Sequence, residues 1–144
     1  MTDFENFTYY HPITVRFADL DPQAHVNNVA YLTYLESARL GYYQQAGIWH
    51  PGPGMHTGMV VAHLSIDYLA PIFFGQAVQV GMRCERMGNK SFTLAFQIET
   101  TPEQAPLARG TVVMVAFDQQ TDASIPIPAD WREKILRFEA QKGT

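Results

Sequence analysis

Asp19, Asp21, His25, Asn27 and Asn28 stand within ten positions of one another, directly before a long apolar run. Their types suit acyl transfer. The first turn of a helix carries N–H groups without intrahelical acceptors, and with the positive end of the dipole they stabilise charge developing on a carbonyl oxygen. A carboxylate a few residues upstream can fold back beside them, to attack the carbonyl carbon or to activate water. The same residues also read as an acidic turn with an asparagine cap, which serves helix stability alone.

The run that follows must be the element that positions them. From Val29 to Ala46 the apolar and aromatic residues cover most of a helical circumference, leaving Thr33, Glu36, Ser37, Arg39, Gln44 and Gln45 as a thin polar remainder. That pattern predicts a helix of about 27 Å, buried nearly all round. Asn27 and Asn28 suit its start, and Gly47 its left-handed end. Upstream, Pro12 to Phe17 reads as a short strand that delivers the two aspartates. Downstream, the Gly- and Pro-rich segment 50–58 reads as a loop.

From Val60 the period changes to two. Val60, Ala62, Leu64, Ile66, Tyr68 and Ala70 alternate with Val61, His63, Ser65, Asp67 and Leu69; then Val78 to Cys84 and Phe92 to Ile98 alternate in the same way around a turn at Met87 to Lys90. Thr111 to Phe117 is apolar on both faces, as expected for a strand in mid-sheet or one covered on both sides. After Pro128 a final helix is predicted, capped by Asp130, with Trp131, Ile135 and Phe138 inward and the pairs Asp130/Lys134 and Glu133/Arg137 outward. The order of elements predicts an α+β domain spanning residues 1–144, an antiparallel sheet wrapped around the long helix.

Composition excludes several classes of function. With 144 residues, 47% of them hydrophobic, and a formal charge of −4, the chain suits one compact core, and its overall charge does not suggest a nucleic-acid partner, a local basic patch aside. A single cysteine, Cys84, forbids an internal disulfide and fits a reducing compartment. The acidic start MTDFENFTYYHPI has no signal-peptide character, and no run reaches membrane-spanning length. A soluble cytoplasmic protein is expected. His25, His50, His56 and His63 lack ligand spacing, so no metal site is predicted. Cys84 reads as a buried thiol, no GxSxG turn is present, the tyrosines of the helix read as core, and Asp19 reads as a structural acid.

The phrase DLDPQAHVNNVAY at 19–31, together with DYLAPIFFGQ at 67–76, NKSFTLAFQI at 89–98 and the IPADW ending at 127–131, resembles the hotdog-fold thioesterases of the 4-hydroxybenzoyl-CoA thioesterase-like group. The resemblance covers nearly the whole chain. It implies a hotdog fold and hydrolysis of an acyl-CoA thioester, with coenzyme A entering only as part of the substrate and no further cofactor. Asp21 takes the place of the catalytic nucleophile or general base and the Asn28 amide that of the oxyanion donor. His25 reads either as a residue orienting Asp21 or water or as a solvated loop histidine. Asn27, Tyr31, Met59, Lys90 and Ser91 are the substrate-contacting residues it implies. Where the family has further arginines before the basic residue, this chain has Gly88 and Asn89, leaving Arg83 and Arg86 as substitutes for phosphate contacts. ADLDPQAHVNN also looks like the plant acyl-carrier-protein thioesterases, but Gln23 replaces their asparagine, which favours a CoA carrier. A non-catalytic acyl-binding protein and an acyl-enoyl hydratase are the competing readings. Such subunits pair into homodimers or homotetramers with sites at the interface, so His56 to Val60 of one subunit is expected to complete the pocket of another.

Overall fold

The computed structural model describes residues 3–49 and 56–141. Its elements run β1 (Tyr9–Ile13), a 3-10 turn (Phe17–Asp19), α1 (Asn28–Ala46), β2 (Thr57–Tyr68), β3 (Val78–Met87), β4 (Ser91–Thr100), β5 (Pro106–Asp118), β6 (Ala123–Ser124) and α2 (Ala129–Ala140). One antiparallel sheet has the order β1-β3-β4-β5-β2, with β6 paired to β5. No helix among the described residues is long and apolar enough to cross a membrane.

The helix is where the sequence places it. Asn27 caps it, its side chain accepting from the Ala30 N–H, and Gly47 ends it at φ 81°. Leu35, Ala38 and Tyr42 are fully buried against the sheet side chains Val80, Met82, Leu94, Phe96 and Val112. Burying them is the main force holding the sheet on the helix. Gly41 sits where a Cβ would strike the hydroxyl of Tyr9 and the His11 ring, so its lack of a side chain lets β1 close against α1. The helix is not covered all round, however: Val29, Leu32 and Leu40 are exposed along one stripe. The sheet of one chain reaches around only part of the circumference.

Four strand expectations shift. The first strand is Tyr9–Ile13 rather than Pro12 to Phe17; Pro12 sits in an edge strand, where it is tolerated, and Phe17–Asp19 is a 3-10 turn held by the Asp19 carboxylate. The second begins at Thr57, taking in the end of the expected 50–58 loop, of which residues 50–55 lie outside the described residues. A bulge between Val61 and His63 resets its alternation, so Leu64 and Ile66 turn inward while Val60 and Val61 stay exposed. β5 starts at Pro106, five residues before the expected Thr111. β5 lies inside the sheet between β4 and β2, as expected, and Gln97 and Glu99 of β4 are buried on the face away from α1.

The last helix is capped at Pro128 with no side-chain bond, and Asp130 lies inside its first turn instead. Both predicted ion pairs form, Lys134–Asp130 at 3.9 Å and Arg137–Glu133 at 2.6 Å. Glu139 fastens this helix, accepting from the Tyr42 hydroxyl, the Cys84 N–H and the Thr8 hydroxyl.

Candidate active site

The loop before α1 is built from its backbone outward. Leu20 and Val26 form an antiparallel bridge, and the Asp21 N–H donates to His25 O at 2.7 Å. Ala24 takes a left-handed φ of 64°, a strained choice for a residue with a Cβ. The strain is held because Asp21 Oδ1 accepts from the N–H groups of Gln23 (2.9 Å) and His25 (3.2 Å). One side of the loop is tied to the segment after β2, through Val26 N–H to Ile72 O and a His25–Phe73 bridge. Its other side is tied to Asp19, whose carbonyl accepts from both the main-chain N–H and the side-chain amide of Asn27.

Asp19 is the anchor, as its structural reading predicted. It is 3% exposed. Its carboxylate accepts from the Tyr34 hydroxyl at 2.7 Å and from the main chain and guanidinium of Arg16. Burial pushes its pKa up, but the Arg16 guanidinium, the Tyr34 hydroxyl and the Arg16 N–H outweigh that and hold it below the ordinary carboxylate range. Burial, then the neighbouring Asp19 carboxylate, pushes the Tyr34 phenol up, so it remains a donor.

Asp21, His25, Asn28 and Tyr31 open together into a cavity of about 430 Å³, walled by Val26, Tyr68, Leu69, Ala70 and Pro71. Oδ2 of Asp21 has no hydrogen-bond partner among the described residues, because both loop amides use Oδ1. The Asn28 N–H is likewise without an acceptor among them, being the first amide of α1. A carboxylate oxygen and a helix-start amide therefore face one space. Tyr31 packs edge-on against Tyr68 at 5.0 Å, and burial, then Tyr68, raises its pKa.

His25 borders this cavity without its imidazole meeting Asp21, and the remaining predicted residues are elsewhere. His25 turns its ring onto Phe73 at 5.1 Å and reaches Asp21 through its main-chain N–H, not its imidazole. Both the carbonyl and the amide nitrogen of the Asn27 side chain are occupied, by Ala30 and Asp19, so it caps the helix and does not line the cavity. Lys90 and Ser91 lie at the β3–β4 turn, away from it. Met59 lines a separate cavity of about 350 Å³ between α1, β2 and β5. A larger hollow of about 900 Å³, on the sheet face away from α1, contains none of the predicted residues. His50 lies outside the described residues; among those described, no three His, Cys, Asp or Glu side chains converge as a metal site would need. Burial, chiefly, pushes the Cys84 thiol up to about 12, consistent with an inert thiol. Sequence reasoning missed the wall Tyr68 to Pro71, although the DYLAP run contains it.

A profile of the thioesterase-like superfamily matches residues 15–135. The chain is 27% identical to the long-chain acyl-CoA thioesterase FadM of Escherichia coli over 85% of its own length and 93% of FadM. Among solved structures it is similar to a thioesterase of Thermus thermophilus complexed with coenzyme A and Zn, with 33% identity, a TM-score of 0.81, and coverage of 95% of this chain and 98% of that one. It is also similar to the PA5185 protein of Pseudomonas aeruginosa, with 27% identity, a TM-score of 0.85 and 94% coverage of both chains.

Proposed function

The chain belongs to the thioesterase-like superfamily and is a thioester hydrolase, and from that premise we propose that it hydrolyses acyl-coenzyme A thioesters at the mouth of α1. The observation that carries the site is the meeting of the unpaired Asp21 Oδ2 and the unpaired Asn28 N–H in one cavity. A thioester carbonyl oxygen placed on the Asn28 amide has its carbon facing Asp21. The carboxylate either attacks that carbon, expelling coenzyme A as a thiolate that takes up a proton, or removes a proton from a water that attacks instead. In the first route water then cleaves the acyl-aspartate anhydride. Both routes consume one water and yield an acid and a thiol. The Asn28 donor is fixed before reaction, so stabilising the oxyanion requires no reorganisation. The step needs no resident metal in this reading.

The working unit in this proposal is a dimer. β2 is a long edge strand with Val60 and Val61 exposed, and the uncovered α1 stripe adds Val29, Leu32 and Leu40. An edge of that length and apolarity is left open in few native proteins, and pairing with a second copy of β2 would cover it. The Tyr68 end of one β2 then lies beside the Thr57 end of the other. This brings the Asp21 cavity of one subunit next to the Met59 cavity of its partner.

The test is thiol release from short, long and aromatic acyl-CoAs, in chelator-treated buffer, by the wild type and by Asp21→Asn. A loss of roughly 10²- to 10⁴-fold in kcat with the fold intact is expected for removal of the acid–base or nucleophilic group. Full activity in Asp21→Asn overturns the assignment of Asp21. Absence of turnover with every CoA thioester overturns the carrier.

A further inference from the structure

The Met59 cavity holds a charge that the reaction at Asp21 does not use. Arg39 lies on its wall, only 8% exposed, among Leu40, Trp49, Met59, Val61 and Met114. Among the described residues it forms no ion pair. The acid that also borders the cavity, Glu36, is exposed at its rim and is not paired with it. Next to Arg39 is Tyr43, whose hydroxyl is sealed from solvent and has no hydrogen-bond partner. Burial pushes the Tyr43 phenol up, partly offset by the guanidinium beside it, so the hydroxyl keeps its proton.

A buried guanidinium without a counter-ion is costly, and burial of charge is ordinarily tolerated only where a partner compensates it. A cavity that keeps such a group without a counter-ion has room for a ligand to supply one. The matching group is a carboxylate, which accepts two parallel N–H bonds from the planar fork. In the dimer described above this cavity adjoins the catalytic cavity of the other subunit, on the side where the far end of an acyl chain would extend. We propose that Arg39, with Tyr43 behind it, is a recognition site for a carboxylate at the distal end of the acyl group, so that the preferred substrates are ω-carboxyacyl thioesters rather than methyl-ended ones. This rests on the thioester hydrolase reading for its substrate and on the β2 pairing for its geometry.

The experiment compares kcat/KM for ω-carboxyacyl-CoAs and alkanoyl-CoAs of matched length, from six to twelve carbons, in the wild type, Arg39→Met and Arg39→Lys. The wild-type ratio should favour the carboxylated chain at its best length. Arg39→Met should lower that ratio roughly ten- to a hundredfold, the range that hydrogen bonds to a charged group span. Arg39→Lys keeps the charge without the fork and should fall between. A ratio equal in all three proteins overturns the proposal, as does a wild-type preference for methyl ends at every length. Circular dichroism checks each fold, and if Arg39→Met does not fold, the ratio in Arg39→Lys decides alone. Isothermal titration with free suberate, against the uncharged octanamide, separates this proposal from the hydrolase reading. Arg39-dependent suberate binding by a protein that turns over no thioester keeps the site while the hydrolase reading fails, and absence of suberate binding in that case overturns both.

Discussion

The Tyr34 hydroxyl offers a measurable handle on how the loop before α1 is held. Tyr34 is 5% exposed and donates to Asp19 Oδ2 at 2.7 Å; Asp19 in turn holds Asn27 through its carbonyl oxygen. Tyr34→Phe removes that donor and leaves the ring in place. A hydrogen bond to a charged group contributes about 1.5–3 kcal/mol net, and Asp19 is buried enough that water does not replace the lost donor. We therefore expect about 1.5–3 kcal/mol of destabilisation at pH 7, read from urea midpoints at constant m-value.

The pH dependence gives the sharper test. Asp19 has a folded pKa below its unfolded value of about 3.9, so the stability it contributes is fully present above that pH and is lost as pH falls through the folded pKa. Tyr34→Phe reduces the depression. The gap between wild type and variant should stay constant from pH 7 to about 5 and narrow below about 4, as Asp19 becomes neutral in both proteins. A gap under about 0.5 kcal/mol at pH 7, below even the weakest ordinary hydrogen bond, or one that stays the same into acid, would refute the account of Asp19 as an ionised anchor.

Two further substitutions test the frame around the site. Gly110→Ala places a Cβ against the Ser65 carbonyl of the adjoining β2, a main-chain obstacle that cannot rotate away, and should cost about 3 kcal/mol or more in a urea titration; a loss under about 1 kcal/mol would mean that β2 can shift without penalty. Val61→Asp puts a charge on the exposed edge of β2 and should abolish the proposed pairing, giving a monomer in size-exclusion chromatography with light scattering where the wild type runs as a dimer, with loss of thioesterase activity. A wild type that is monomeric and fully active defeats the shared-site arrangement.

The helix and its caps were legible because their signals are local: Asn27, Gly47 and the apolar run between them lie in one window. The β3–β4 hairpin was legible for the same reason, Val78, Val80 and Met82 facing inward beside Phe92, Leu94 and Phe96. What escaped depends on partners distant in sequence. β1 sits three residues early because its register is set by β3, about seventy residues away, while Thr14 to Arg16 has strand-forming residues but no strand to pair with. The bulge beside Ala62 leaves no trace in the alternation, since Val60, Val61 and Ala62 are all apolar. Asn27 and Asn28 look alike as polar residues at a helix start; which amide stays free was decided by Asp19, whose carbonyl occupies the side chain and N–H of Asn27.

Met59 is the most instructive of the misplaced residues. Tyr68 walls the Asp21 cavity, and Met59 lies nine residues before it on the same extended strand, about 30 Å away at 3.3 Å per residue. A single chain cannot bring the two together, however well its loop is formed. If Met59 contacts the acyl group at all, it does so across the β2 edge, from a second subunit. The expectation that it touches substrate and the finding that it sits in another cavity are then compatible under one condition, a two-fold axis near the middle of β2. The same condition brings Arg39 within reach of the acyl chain and covers Val60, Val61 and the open stripe of α1. Under the proposed pairing the exposed apolar edge and the separation of the two cavities would have one physical cause: each chain carries a carboxylate and an amide at one end of β2 and the Met59 cavity at the other.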